Sequence, residues 1–223
     1  MTKVYARGDS PEKPPFQKLR LGVVGSGSLG GAIGGNWVRA GHEVVFSSRH
    51  PERLEAKARK MGPNASCGTP LEAAQNADVV LFSLPYDPIP DLADALPDAL
   101  SGKIVINASN QPFDRAHPLS IEAARTGLGP LTQRLFSTAR VAIAFSAVDA
   151  WDIAESYGRS TPLAVPIAAD DPEAMTMAAR LVYDAGCVPL VIGNLASSRS
   201  FMRGTGPFRA NTDLSGLRRA FGM

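Results

Sequence analysis
The feature that most restricts how this chain folds is a glycine-rich turn wedged between an apolar run and a helical pattern. Leu19-Arg20-Leu21-Gly22-Val23-Val24 has the length and apolar content of a buried parallel strand. Gly25-Ser26-Gly27-Ser28-Leu29-Gly30 follows, and Gly31 to Ala40 then reads as a helix closed by Gly41. His42-Glu43-Val44-Val45-Phe46 supplies a second strand. In a chain with 21 glycines the bare spacing carries little, but the strand before it and the helix after it give each glycine a task. Gly25 turns the chain tightly, Gly27 lets the backbone approach a pyrophosphate, and Gly30 lets the helix pack closely on the strand. The helix start adds free N–H groups and the positive end of its dipole. The pattern predicts a dinucleotide site held by Gly25, Ser26, Gly27, Ser28, Leu29 and Gly30.

The second strand runs into Ser47-Ser48-Arg49, where NAD-binding sites of this type usually carry an acid for the ribose hydroxyls. A carboxylate there repels a 2′-phosphate, whereas small hydroxyls and a guanidinium fork accept one. Ser48 and Arg49 therefore predict NADP(H). Arg53, on the first turn of a helix opened by Pro51, is a second cation for the same phosphate or a surface charge.

The remaining chain alternates helical and strand patterns, which predicts an α/β fold with a doubly wound parallel sheet. Residues 1–18, rich in proline, read as an extended or disordered lead-in; 19–146 as the nucleotide-binding Rossmann domain; 147–223 as a small C-terminal α/β subdomain packed on it. Helices are expected over 51–61, 69–76, 89–100, 120–126, 130–137 and 172–185, and strands over 78–83, 103–107, 140–145, 163–167 and 187–191. With 223 residues and a net charge of +2, the chain can bury a sizeable core and has no basic footprint for nucleic acid. No apolar run approaches the ~20 residues of a membrane helix, and the polar start lacks a signal-peptide core. Cys67 and Cys187, without metal-ligand spacing, suit reduced thiols, although spacing alone leaves a disulfide open. A cytoplasmic protein without membrane contact is expected.

Ligands on open α/β sheets bind beyond the carboxyl ends of the strands. Leu84-Pro85 and Asn107-Ala108-Ser109-Asn110 follow two such ends. The first is a wall near the nicotinamide ribose or an ordinary strand-ending turn. In the second, Ser109 and Asn110 bind a carboxamide or substrate edge, or else make local turn bonds. Phe145 and Ser146 close a further strand, with Phe145 a cleft or core residue. Trp151 reads as a packing anchor, with Asp149 and Asp152 as first-turn helix acids. His42, His50 and His117 are scattered over loops, so no metal site is expected. No side chain is assigned a catalytic role, because hydride transfer between stacked rings needs alignment more than proton transfer. Tyr86 and Ser109 are the candidate proton donors if the acceptor is an imine or ketone.

The chain resembles the coenzyme F-420-dependent NADP reductases. The likeness rests on Gly41-His42-Glu43-Val44-Val45 with Ser48-Arg49, Glu55-Ala56-Lys57-Ala58, Ala77-Asp78-Val79-Val80 leading to Leu84-Pro85, and Lys103-Ile104-Val105-Ile106. It continues through Asp170-Asp171-Pro172-Glu173-Ala174 and Gly193-Asn194-Leu195-Ala196-Ser197-Ser198-Arg199. Ala108-Ser109-Asn110 and Ala150-Trp151 are similar to the soluble reductase domain of six-transmembrane metalloreductases. The resemblance implies an NADPH-dependent oxidoreductase that passes hydride to a small-molecule redox acceptor, coenzyme F-420, FMN or FAD. In the family, residues matching Ser48, Arg49 and Arg53 bind the 2′-phosphate, and members are often homodimers. Two alternatives stand beside it: an imine or carbonyl reductase of similar fold, and a non-catalytic NADPH-binding sensor. After Arg199 the chain departs from the family. Phe201 to Arg209, with Arg203 and Arg209, replaces a mostly apolar, acid-containing segment, and these arginines are candidates to anchor an acidic acceptor tail or are plain surface residues.

Overall fold
The computed structural model describes residues 5–223. Its first unit is the expected one: β1 (Arg20–Val24), α1 (Ser28–Ala40) and β2 (Glu43–Ser47), with Gly41 ending the helix in a left-handed conformation (φ 106°). Then come α2 (Glu55–Met61), β3 (Ala65–Gly68), α3 (Pro70–Gln75), β4 (Val79–Phe82), α4 (Ile89–Ala95), α5 (Pro97–Leu100) and β5 (Ile104–Asn107). The chain continues through α6 (Pro118–Thr126), α7 (Leu128–Leu135), β6 (Arg140–Ile143), α8 (Ala150–Ala154), β7 (Ala164–Ala169), α9 (Pro172–Asp184), β8 (Val188–Gly193) and α10 (Leu214–Ala220).

The strands form one eight-stranded sheet in the order β3-β2-β1-β4-β5-β6-β7-β8. The order reverses between β1 and β4, which opens a crevice at the carboxyl ends of these strands. Strands β1 to β6 pair in parallel, as expected of a doubly wound fold, and β7 turns antiparallel to β6. The stretch expected as a C-terminal subdomain thus adds β7 and β8 to the same sheet. One apolar cluster lies on each face, the first around Val23, Trp37 and Ile106, the second around Phe82, Leu131 and Ile192.

Several expected elements need correction. The helix predicted over 89–100 is interrupted before Pro97, whose missing N–H and ring cannot continue a preceding turn. Strand β3 was not expected; its four residues, Ala-Ser-Cys-Gly, carry almost no apolar pattern. Residues 51–53 form a separate 3-10 turn before α2. Trp151 is no packing anchor, being 76% exposed. His42 lies in the interior: its Nδ1 accepts the Leu19 N–H (3.2 Å), so Nε2 carries the proton and faces buried Asp184 at 3.1 Å. Cys67 on β3 and Cys187 before β8 sit near opposite edges of the sheet and are both free.

Helix α1, which aims at the crevice, is bolted down from behind. Trp37 Nε1 donates to Leu181 O (2.8 Å), and Asn36 Nδ2 reaches Ile153 O and Ala185 O at 2.7 and 3.0 Å. These bonds join buried polar groups that would otherwise be costly. The lead-in from residue 5 runs along the far sheet edge. Gly8 N–H donates to Val191 O, Val191 N–H to Asp9 O, and Arg218 to Gly8 O.

Candidate functional site
The glycine loop has the geometry its sequence predicts. Gly25 has φ +98°, and a Cβ there would fall 2.2 Å from Ser83 O. A Cβ on Gly30 would fall 2.1 Å from Gly25 O, so helix and turn touch backbone to backbone. Gly27 is different: its Cβ would meet nothing within 4 Å. Two glycines are required by the protein itself, and the third leaves room for something else. Gly27 also precedes α1 without a side-chain cap, and the first turn carries no acid, so its N–H groups remain free for an anion. The residues therefore fit a pyrophosphate.

Two clefts meet at this loop. Ser26 and Gly27 line the first, of about 760 Å³, with Ser47, Ser48 and Arg49 at the end of β2. Leu54, Pro70, Pro88 and Leu92 form its apolar walls, and Leu84-Pro85 continue them from the end of β4. Ser28 and Leu29 line the second, of about 390 Å³, with Asn110, Ser146, Val148, Phe113 and Arg203. Both volumes are in the usual range for small-molecule sites.

Each expected residue has a definite place. Arg49 is exposed at the first cleft and has no ion pair among the described residues. Ser48 Oγ accepts the His50 N–H (3.0 Å), which shapes the turn after β2. Arg53 is exposed on the 3-10 turn and does not line the cleft. Ser26 Oγ donates to Ser47 O (3.0 Å), and Lys57 on α2 donates to Ser26 O (3.2 Å). Lys57 thus brings a cation to the glycine loop, a role the sequence reading did not assign.

Ser109 is 4% exposed and serves the scaffold: Leu84 N–H donates to its Oγ at 3.1 Å, joining the ends of β4 and β5. Asn110 Nδ2 donates to Ser146 O (2.7 Å), joining the ends of β5 and β6. Phe145 does not line the cleft; it is fully buried edge-on to Trp37, with its ring centroid 6.3 Å away. Its backbone is strained, however, with φ 64°. The only other non-glycine residues with positive φ among those described are Arg209 (58°) and Asn211 (43°). Arg209 itself lines the second cleft, Asn211 is two residues on, and Phe145 precedes the lining residue Ser146. Strain of this kind gathers where surroundings hold a site in place. Tyr86 is unavailable as a proton donor. It is 1% exposed, hydrogen-bonded to Thr132 Oγ1 (2.9 Å), and burial pushes its hydroxyl pKa well up.

The second cleft brings together the candidate arginines Arg203 and Arg209 through contacts that the sequence did not reveal. Arg203 lies with its guanidinium 3.6 Å from the centre of the Phe113 ring and donates to Gln111 O at 3.0 Å. Arg209 pairs with Asp149 at 2.8 Å, and Asn211 donates to the same carboxylate at 2.6 Å. Among the described residues, four buried side-chain oxygens have no partner: those of Ser47, Asn110, Gln111 and Ser146.

Residues 20–111 match the family described as NADP oxidoreductase, coenzyme F420-dependent. The chain is 27% identical over 185 residues to Metalloreductase STEAP3 from Rattus norvegicus, covering 83% of this chain and 36% of that protein. It therefore spans about a third of that relative's length. A hypothetical protein from Sinorhizobium meliloti has a similar structure, with TM-score 0.72, 25% identity, and coverage of 87% of this chain and 94% of that one. A putative F420-dependent NADP reductase from Arthrobacter sp. FB24 shares the fold at TM-score 0.68 and 22% identity, over 82% and 88% of the two chains. The resemblance read from the sequence is supported by these matches. Among the described residues no helix is long and apolar enough to cross a membrane.

Proposed function
We propose that this chain, whose nucleotide-binding half is of the coenzyme F420-dependent NADP oxidoreductase type, transfers hydride between NADP(H) and a flavin or deazaflavin acceptor. The observation that carries the reading is the pair of clefts parted by consecutive residues of one glycine loop, Ser26-Gly27 on one side and Ser28-Leu29 on the other. A dinucleotide whose pyrophosphate lies at Gly27 has its two halves directed into separate clefts. NADPH supplies the hydride, carried on its nicotinamide ring.

The chain's own residues bind and orient. Backbone N–H groups at the start of α1 hold the pyrophosphate; Ser48 and Arg49 take the 2′-phosphate; the walls around Leu54 and Leu92 cover the adenosine. Asn110 and Ser146 line the second cleft from the ends of β5 and β6, where the rings would meet. No general acid is needed for hydride transfer itself, which is consistent with the burial of Tyr86.

The test is to follow NADPH absorbance with coenzyme F-420, FMN, FAD and a panel of ketones and imines. Oxidation with a ring acceptor is expected. Turnover with the carbonyl panel alone would favour a carbonyl or imine reductase, and tight NADPH binding without turnover would favour a sensor.

A further inference from the structure
The peptide between Ser26 and Gly27 is held from outside both clefts. Ser26 O accepts a hydrogen bond from Lys57 Nζ at 3.2 Å, and Ser26 Oγ donates to Ser47 O at 3.0 Å. Lys57 stands on α2 and lines neither cleft. In a trans peptide the N–H points opposite to the C=O, so a cation fixed on Ser26 O turns the Gly27 N–H away from that cation. Gly27 lines the first cleft, and its N–H has no partner among the described residues. A peptide beside an uncrowded glycine otherwise has several orientations open to it. The bond to Lys57 also polarises the amide, which makes the Gly27 N–H a stronger donor.

Helix α1 leaves room for that ammonium. A Cβ on Gly31 would lie 2.4 Å from Lys57 Nζ and 3.4 Å from its Cε, but an ordinary 3.6 Å from Ser26 O. Gly31 lies within α1 and has no positive φ, so the backbone there does not ask for glycine. Glycine inside a helix costs about 0.5–1 kcal/mol relative to alanine, a cost that the space for Lys57 accounts for. Lys57 also lacks a carboxylate: Glu55 on the same helix pairs with Arg59, and no ion pair reaches Lys57 among the described residues. A cation beside the positive end of α1, whose first turn carries no acid, is unfavourable until an anion arrives.

We propose that Lys57 is a positioning residue for the diphosphate of the nucleotide: through Ser26 O it locks the Gly27 N–H toward the first cleft, and Gly31 is the gap that lets it reach. This rests on the loop being an NADP(H) site and on nothing about the acceptor.

NADPH and 2′-AMP share adenosine and the 2′-phosphate, and only NADPH carries the diphosphate, so calorimetric titration of both is the test. Lys57→Met should weaken NADPH about five- to tenfold and leave 2′-AMP within about twofold. Gly31→Ala should cause the same selective loss with Tm unchanged or raised, because its methyl displaces only the end of a flexible side chain and alanine favours the helix. In the Lys57→Met background Gly31→Ala should have no further effect on NADPH affinity, since both act through one contact. Unchanged NADPH affinity in Lys57→Met, equal weakening of both ligands, or additive losses in the double variant would overturn the proposal. A parent protein that binds no NADPH would remove the nucleotide site and this proposal with it, whereas NADPH binding indifferent to Lys57→Met removes only the role of Lys57.

Discussion

The two clefts are built by opposite strategies. The first is written almost continuously: its phosphate end comes from residues 25–27 and 47–49, held in register because β1 and β2 are adjacent and parallel, with Val24 opposite Ser47. The second is assembled from 28–29, 110–113, 146–150 and 203–209, which meet only after the whole sheet has formed. On the proposed function, the first would take a dinucleotide phosphate on backbone N–H groups beside an uncrowded glycine. The second presents side chains: an arginine stacked on Phe113, a second arginine paired with Asp149, and Asn110 and Ser146. Backbone recognition tolerates little change, and side-chain recognition can be rewritten one residue at a time. The family match over 20–111 covers the first cleft's phosphate end and stops before the residues 113–209 that complete the second.

Substitutions can break this contrast, and the glycine loop should respond most. Gly30→Ala puts a methyl group 2.1 Å from Gly25 O, so α1 must move. A loss of about 3 kcal/mol is expected, lowering Tm by about 6–12 °C, along with NADPH binding. Thermal melts and a nucleotide titration measure both. Gly27→Ala separates the two effects, because its methyl meets only open space. Tm should stay within about 2 °C while NADPH affinity falls about 30- to 100-fold; a retained affinity would mean that no phosphate lies there.

Next in size is Arg49→Ala, for which NADPH should bind about 10- to 100-fold more weakly and NADH unchanged. An unaltered preference in parallel titrations would remove Arg49 from the 2′-phosphate site. The smallest effect should come from Asp149→Ala, which removes the partner of the second cleft's Arg209. The Arg209 pair is partly exposed, so about 1 kcal/mol, or about 2–4 °C in Tm, is expected. FMN affinity should change a few-fold while NADPH affinity does not, and an equal change in both would show that the clefts are not independent.

The same contrast governs what could be read from the sequence. Gly25, Gly27 and Gly30 announced the first cleft because their roles depend on near neighbours in the chain. So did Arg49, which needs only the strand before it to be placed. Lys57 escaped notice because its contact with Ser26 O spans 31 residues and depends on how α2 lies across the loop. Phe113 and Arg203, 90 positions apart, carry no shared pattern, and their stacking follows from packing alone. Phe145 was expected to face the cleft or the core, and only the sheet's depth at β6 decides for the core. Strand β3 was missed because Ala65-Ser66-Cys67-Gly68 owes its extended shape to pairing with β2, not to its own propensity.

The lead-in segment has a consequence of another kind. An edge strand invites a second chain to continue the sheet. On β8, Val191 has both its N–H and its C=O occupied by residues 8–9. Pro189, on the same outward side by the alternation of the strand, has no N–H to offer. The opposite edge, β3, is only four residues long. Neither border of the sheet presents a long row of open backbone groups, so two copies that associate are steered to meet through helix and loop surfaces instead of by extending one sheet into the next.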